Sequence, residues 1–263
     1  MTEAALVERH GPVLKIINNN PGARNALTFE YNERLVEELN AAAADKSIAA
    51  IVLTGAGGFF CAGGDLNILI KRREMDIAGR MEAIAVLNRT ICAIRSCPKP
   101  VIAAVEGGAA GAGASIALAC DLVVAAEDAY FAVSYLKVGL TPDGGATTFL
   151  SEFAPRQLVN EILMFGDKIT AERLFQLGAV NRLAAKGAAE EVAQGLGERL
   201  YQVGPDALAS AKRLTALARE NDLETQLEVE AKAMAEAQGG AESGEGISAF
   251  LEKRKPDFTK FRG

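Results

Sequence analysis

Two glycine-rich crossings carry the clearest chemical signal in this chain. One is Gly107-Gly108-Ala109-Ala110-Gly111-Ala112-Gly113, inside the stretch 101–121 (VIAAVEGGAAGAGASIALACD). The other is Gly55-Ala56-Gly57-Gly58-Phe59-Phe60-Cys61-Ala62-Gly63-Gly64-Asp65-Leu66. A run so poor in side chains after a strand lets another molecule approach the backbone closely. It also aims free N–H groups from the start of a helix, where partial positive charge collects. Such groups stabilise a developing negative charge without a charged side chain, and each crossing can supply one donor.

The first run admits other readings. A membrane span fits its length and the Gly107-x-x-x-Gly111 pair, although Glu106 sits inside it and no second span accompanies it. A dinucleotide fingerprint starting at Gly111-x-Gly113 needs a glycine where Ile116 stands, and a phosphate loop needs a closing Gly-Lys-Ser/Thr. A tightly packed strand–helix junction without a ligand stays open.

The chain has a single histidine, His10. Ser-His-Asp and Cys-His catalysis would rest on that residue alone, and a histidine-based zinc site lacks ligands. His10 reads as a surface residue just ahead of the first strand. The chemistry therefore falls to carboxylates, backbone amides, or Ser, Tyr and Lys groups, with no metal expected. The four cysteines (Cys61, Cys92, Cys97, Cys120) lack CxxC spacing and lie in apolar surroundings. They read as reduced, buried thiols of a cytoplasmic protein. The start MTEAALVERHGPV has no basic segment followed by an apolar run, so no secretory signal is expected. A net charge of −6 argues against a nucleic-acid surface, although Lys71, Arg72 and Arg73 cluster locally.

The elements that must position these groups follow from pattern. With 263 residues, 49% of them hydrophobic, the chain can form one large domain or one with an appendage. Residues 13–17 alternate as a strand. Thr28 can cap a helix to 44 with Tyr31, Leu35 and Leu39 on one face. Residues 50–54 form an apolar run typical of a strand buried on both faces, and 101–105 form another. A long helix is expected over 76–95, stopped by Pro98 and Pro100. Further strands are expected at 122–125, 130–133 and 180–183. Helices are expected from 146, over 156–165, over 170–177 with Thr170 as cap, and from 188 onward. Residues 246–258 read as a helix ending in a basic cluster. Alternation of this kind predicts an α/β core with a largely parallel sheet. A core over 1–203 and a helical segment over 204–263, parted at Gly204-Pro205, are expected, the latter packing on the core or on a neighbouring subunit.

Four pieces together resemble the crotonase (enoyl-CoA hydratase/isomerase) superfamily. They are Asn20-Pro21-Gly22-Ala23-Arg24-Asn25-Ala26-Leu27, Phe60-Cys61-Ala62-Gly63-Gly64-Asp65-Leu66, the glycine-rich strand–helix ending Cys120-Asp121, and Gly246-Ile247-Ser248-Ala249-Phe250-Leu251-Glu252-Lys253-Arg254. They occur in the family's order and span nearly the whole chain. The resemblance implies a spiral of repeated ββα units with a C-terminal helical trimerisation region, assembled as a homotrimer or a dimer of trimers. It implies an acyl-CoA substrate, with coenzyme A present only as part of that substrate and no membrane or nucleic-acid partner. By motif, the enolate donors are the N–H groups of Gly64 and Ala112. The CoA moiety is expected along Gly22, Ala23, Arg24, Ala62, Asp65 and Leu66, with Arg24 facing a phosphate and Phe258 adding a contact.

Hydratases of this family use two glutamates, and the corresponding positions here hold Ser115 and Tyr135, which can bind or shape the substrate instead. The resemblance points to Asp143, in Leu140-Thr141-Pro142-Asp143-Gly144-Gly145, as a single acid/base. This pattern is most similar to the branch acting on 1,2-epoxyphenylacetyl-CoA or Δ3-enoyl-CoA. Burial is expected to raise the Asp143 pKa. Read without the family, Asp143 is a turn residue able to cap the next helix. Asp65 and Asp121 are expected to hold backbone or a salt bridge, and Ser115 lacks a histidine to make it a nucleophile. Segments 76–87 and 130–140 are expected to line the acyl pocket. An isomerase is favoured over a hydratase, with a non-catalytic CoA-binding scaffold as the third reading.

Overall fold

The computed structural model describes residues 3–262. Its plan is a strand in a large sheet, a shorter strand in a second layer, then a helix, repeated along the chain. The hairpin of β1 (Ala5–His10) and β2 (Val13–Asn18) opens the large sheet, reversing at Gly11 with φ +57°. β2 leads through Leu27 to α1 (Phe29–Ala44), whose N-cap Thr28 accepts a bond from Tyr31 N. β3 (Ala50–Gly55) leads through residues 61–64 to α2 (Leu66–Arg72) and α3 (Ile77–Ser96). β4 (Val101–Val105) passes into β5 (Gly108–Ala110) and α4 (Ala112–Ala119). β6 (Leu122–Ala126) and β7 (Tyr130–Ala132) are followed by α5 (Ala146–Phe153), α6 (Arg156–Phe165), β8 (Lys168–Thr170) and α7 (Ala171–Gln176). β9 (Arg182–Ala184) and α8 (Ala189–Leu200) close the spiral.

The large sheet has the order β1-β2-β3-β4-β6-β9, parallel apart from the opening hairpin. The second layer runs β5-β7-β8, extended by bridges from Cys61 to Ala109 and from Leu27 to Gly64. Successive side chains of a strand face opposite ways, and the core divides accordingly. Ile51, Leu53, Val101, Ala103 and Val105 join Leu35, Leu39, Ile94 and Ile116 on the face covered by α1, α3 and α4. Val52, Ile102, Ala104 and Val124 meet Ala189 and Ala193 of α8 on the other face. Burial on both faces explains the uninterrupted apolar runs of β3 and β4.

The chain continues as α9 (Pro205–Leu217), α10 (Leu223–Gln238) and α11 (Ala241–Leu251). Gly204 is the N-cap of α9. Lys212 of α9 reaches into the core, donating to Ile94 O, Lys99 O and, at 2.6 Å, the Asp121 carboxylate. Arg262 donates to Leu200 O and Val203 O.

Several expectations need correction. His10 is the last residue of β1, not a residue ahead of the first strand, and its ring lies 3.1 Å from Glu8. The supposed turn 107–113 contains β5, because Gly108–Ala110 pairs with β7. The helix expected over 246–258 ends at Leu251; Lys253 takes φ +56°, and the basic residues lie in the tail, where Glu245 pairs with Arg254 and Lys260. Cys92 is exposed, unlike the other three cysteines. Among the described residues no helix is long and apolar enough to cross a membrane.

Candidate active site

The two glycine-rich crossings lie against each other. Cys61 N donates to Gly108 O and Ala110 N to Cys61 O, so residues 60–64 run as a partial strand beside β5. A methyl group at Gly63 would stand 2.5 Å from Ala110 O and 3.1 Å from Ala112 N. A methyl at Gly113 would stand 2.5 Å from Cys61 O. The contact therefore requires glycine on each side. Gly111 caps α4 with φ 51° and ψ −127°, a conformation that glycine adopts without strain. Ala112 follows as the first residue of the helix. Among the described residues, neither Gly64 N–H nor Ala112 N–H donates to a protein acceptor. Two free amides on adjoining strands, one at a helix N-terminus, can bind an oxyanion between them.

One turn into α4, Ser115 stands on the same face as Ala112 and is fully buried. Its hydroxyl donates to the Asp143 carbonyl at 3.1 Å. Tyr135, buried in the 3-10 turn Tyr135–Val138 after β7, donates from Oη to Asp143 Oδ1 at 2.8 Å. The Ser115 Oγ and Tyr135 Oη atoms are 3.4 Å apart. Gly139, with φ +71°, reverses the chain after Tyr135, and Gly144, with φ +57°, lets the Asp143 turn close on α4. A methyl at Gly144 would stand 3.0 Å from Leu87 and 3.1 Å from Ser115 Cβ. Leu87 and Tyr135, from the two segments expected to line an acyl pocket, thus meet the same turn.

Asp143 does not cap the following helix. The N-cap of α5 is Gly145, without a side-chain bond, and only the Asp143 carbonyl accepts from Ala146 N. The half-buried carboxyl has a raised pKa because burial disfavours its charge, opposed by the Tyr135 hydrogen bond and the Arg72 guanidinium. Burial and the neighbouring Asp143 also raise the Tyr135 phenol, which stays a proton donor.

The loop 20–26 packs along the outer side. Ala62 N donates to Arg24 O and Leu27 N to Gly63 O, so Gly22, Ala23, Arg24, Ala62, Asp65 and Leu66 form one rim. Arg24 is exposed, has φ +50°, and lies with its guanidinium 5.8 Å from the Phe59 ring centroid. Asp65 caps α2 through Asn67 N, and Leu66 is exposed. Phe258 is not brought to this rim. It lines a cleft of about 550 Å³ with Val203, Ala233, Ile247 and Phe261. Asp121 accepts from Val101 N and Lys212, a structural duty.

Two residues of the site region went unassigned in the sequence reading. Asn25 is fully buried at φ +56°, and its side chain accepts from Asn20 N and donates to Ala56 O and Phe59 O. It holds the rim loop to the β3 crossing, and an asparagine placed for the left-handed region was its available signal. Arg72 belongs to the basic run already visible at 71–73.

Residues 8–261 match the profile described as enoyl-CoA hydratase/isomerase. A 2,3-dehydroadipyl-CoA hydratase of Escherichia coli (strain K12) is 37% identical, over 96% of this chain and 97% of its own length. A 1,2-epoxyphenylacetyl-CoA isomerase of the same organism is 35% identical, over 98% and 99%. Among solved structures, an enoyl-CoA hydratase from Polaromonas sp. JS666 aligns with a TM-score of 0.94 and 44% identity, over 96% of this chain and 98% of that one.

Proposed function

The chain belongs to the enoyl-CoA hydratase/isomerase family, with its α/β spiral fold, and we propose that this acyl-CoA enzyme is an isomerase with Asp143 as its single acid/base. The thioester oxygen sits between the N–H groups of Gly64 and Ala112. Asp143 removes a proton from C2 or C4 of the acyl chain, the electron pair moves onto the thioester oxygen, and the enolate rests on the two amides. The resulting carboxylic acid returns the proton at the other carbon, which shifts the double bond. A ring-epoxide CoA ester uses the same enolate. The CoA portion runs along Gly22, Ala23, Arg24, Ala62, Asp65 and Leu66.

One observation carries this reading. The groups hydrogen-bonded to Asp143 are two neutral hydroxyls, Tyr135 on its carboxylate and Ser115 on its backbone carbonyl. No second carboxylate hydrogen-bonds into that cluster among the described residues. A raised carboxyl pKa favours both proton steps. Hydration of a 2-enoyl-CoA is the second reading, favoured by the names of the Escherichia coli and Polaromonas hydratases. We also infer a cytoplasmic homotrimer or dimer of trimers, supported by exposed Leu223, Leu227, Ile247 and Phe250 on the C-terminal helices.

The test compares wild type and Asp143→Asn on 3-enoyl-CoA, 2-enoyl-CoA and epoxyphenylacetyl-CoA, with proton exchange at C2 followed in deuterated water. Wild type is expected to isomerise, and the variant to lose about 10²–10⁴-fold in rate. Full activity in the variant ends the role of Asp143. Robust hydration of crotonyl-CoA by wild type favours the second reading, and CoA binding without turnover favours a scaffold.

A further inference from the structure

The mechanism above uses one carboxylate and two amides, and leaves the buried hydroxyls of Ser115 and Tyr135 without a task. Counting their hydrogens gives them one. Each hydroxyl has a single hydrogen to donate. The Tyr135 hydrogen goes to Asp143 Oδ1 at 2.8 Å, and the Ser115 hydrogen goes to the Asp143 carbonyl at 3.1 Å. The 3.4 Å contact between the two hydroxyls is left with none. Both donors are therefore aimed at one residue, one gripping its side chain and the other its peptide. Ser115 is fully buried and Tyr135 nearly so, and Gly144 closes the turn onto Ser115 and Leu87. An oxygen that already receives a phenol hydrogen cannot also carry a proton facing that donor.

We propose that Tyr135, with Ser115 fixing the Asp143 peptide, is a positioning residue that makes Oδ2 of Asp143 the oxygen which takes and returns the substrate proton. This rests on the reading of Asp143 as the acid/base and adds which of its atoms reacts. Ser115 and Tyr135, where the resemblance implies glutamates in a hydratase, here hold Asp143 by its peptide and its side chain. The pair of electrons from the broken C–H bond goes to the thioester oxygen, and the proton alone visits Oδ2, so the step balances without a co-reactant.

The consequence is a pH dependence with a fixed sign. The charged or titratable groups facing Asp143 are Tyr135 from the turn before it and Arg72 from α2. Among the described residues, α4 meets this turn with the neutral Ser115 and α3 meets it with Leu87. A donor bound to the carboxylate favours its charged form. Tyr135→Phe keeps the ring and removes that donor, so protonated Asp143 persists to higher pH. Because the base must be ionised, the rising low-pH limb of kcat/KM moves to higher pH. Loss of orientation lowers kcat about ten- to a hundredfold, with KM within about twofold of wild type.

The experiment measures C2 proton exchange against pH for wild type, Tyr135→Phe and Asp143→Asn. In parallel, carbon-13 NMR of aspartate-labelled protein follows the Asp143 carboxyl without substrate, assigned by its absence in Asp143→Asn. The expected result is an upward move of both the kinetic limb and the carboxyl titration in Tyr135→Phe. Site-specific 3-fluorotyrosine at 135, a stronger donor in a near-identical shape, moves both downward and guards against misfolding as the cause. If neither replacement moves the limb or the titration while Asp143→Asn is inactive, the positioning inference falls and the Asp143 mechanism stands. If Asp143→Asn retains exchange, Oδ2 is not the transfer atom and the inference falls with that mechanism, even where the NMR titration still moves.

Discussion

An amide donor cannot be deleted by trimming a side chain, but proline removes it. Ala112 is the first residue of α4, a position where proline is well tolerated because its N–H has no intrahelical partner. Ala112→Pro is expected to keep the circular dichroism spectrum and lower kcat about 10²–10³-fold, the usual effect of losing one oxyanion donor. A folded variant within threefold of wild type sinks the assignment of this amide. The choice of Gly64 and Ala112 came from the family resemblance, but that each crossing can offer one free amide was legible because glycine density after a strand has a direct backbone meaning. The Tyr135–Asp143 hydrogen bond was not. Both residues had been singled out, but only the left-handed turns at Gly139 and Gly144 bring them together, and side-chain spacing along the chain does not encode that reversal. The same holds for Asn25, which sat inside a quoted motif yet acts by clipping two loops.

At the scale of elements, two glycines in helices separate packing from propensity. Gly195 lies inside α8 with nothing near an added methyl, so Gly195→Ala is expected to stabilise the fold by about 0.5–1 kcal/mol. Gly113 lies inside α4, where an added methyl meets Cys61 O at 2.5 Å and Cys61 Cβ at 2.7 Å. Gly113→Ala is expected to destabilise by about 1–3 kcal/mol and to separate the two crossings, so turnover falls more than the folded fraction. Urea unfolding beside steady-state kinetics checks both; equal effects of the two substitutions remove the packing argument. The inner strands β3, β4 and β6 of the large sheet were readable because burial on both faces leaves apolar runs. β1, β5 and α2 were not read. β1 is half-buried, with charged Glu8 and Arg9 in its pattern, and β5 is three residues of glycine and alanine. α2 exposes Leu66 and Ile70, so its apolar residues do not mark an inward face.

Across the whole molecule, the C-terminal helices are fastened to the spiral by a lysine that behaves like a plug. Lys212 of α9 is bonded to the ends of α3 and β6 through Ile94 O, Lys99 O and the Asp121 carboxylate. Lys212 is 12% exposed and Asp121 22%, so the pair is largely withdrawn from water. Burial raises the Asp121 pKa, and Lys212 is the main influence holding it down. Lys212→Met leaves that carboxylate buried without its cation, an arrangement that costs about 3–5 kcal/mol when fully buried and is expected to cost about 2–3 kcal/mol here. The sign of its pH dependence follows from linkage. With Lys212 gone the folded pKa of Asp121 rises further above the unfolded value, so the variant matches wild type best at low pH, where Asp121 is protonated. Its deficit grows as pH rises through the folded pKa of Asp121. Adding Asp121→Asn removes the orphaned charge while keeping an acceptor for Val101 N, and is expected to restore most of the loss. Denaturant melts of both variants between pH 4 and pH 8 decide the matter. A deficit independent of pH, or one not relieved by the second substitution, shows that Lys212 acts through packing of its aliphatic chain and not through Asp121. A chain ended at residue 203 loses the same cation and is expected to lose stability with the same pH signature, because the Lys212–Asp121 pair ties α9 to the core.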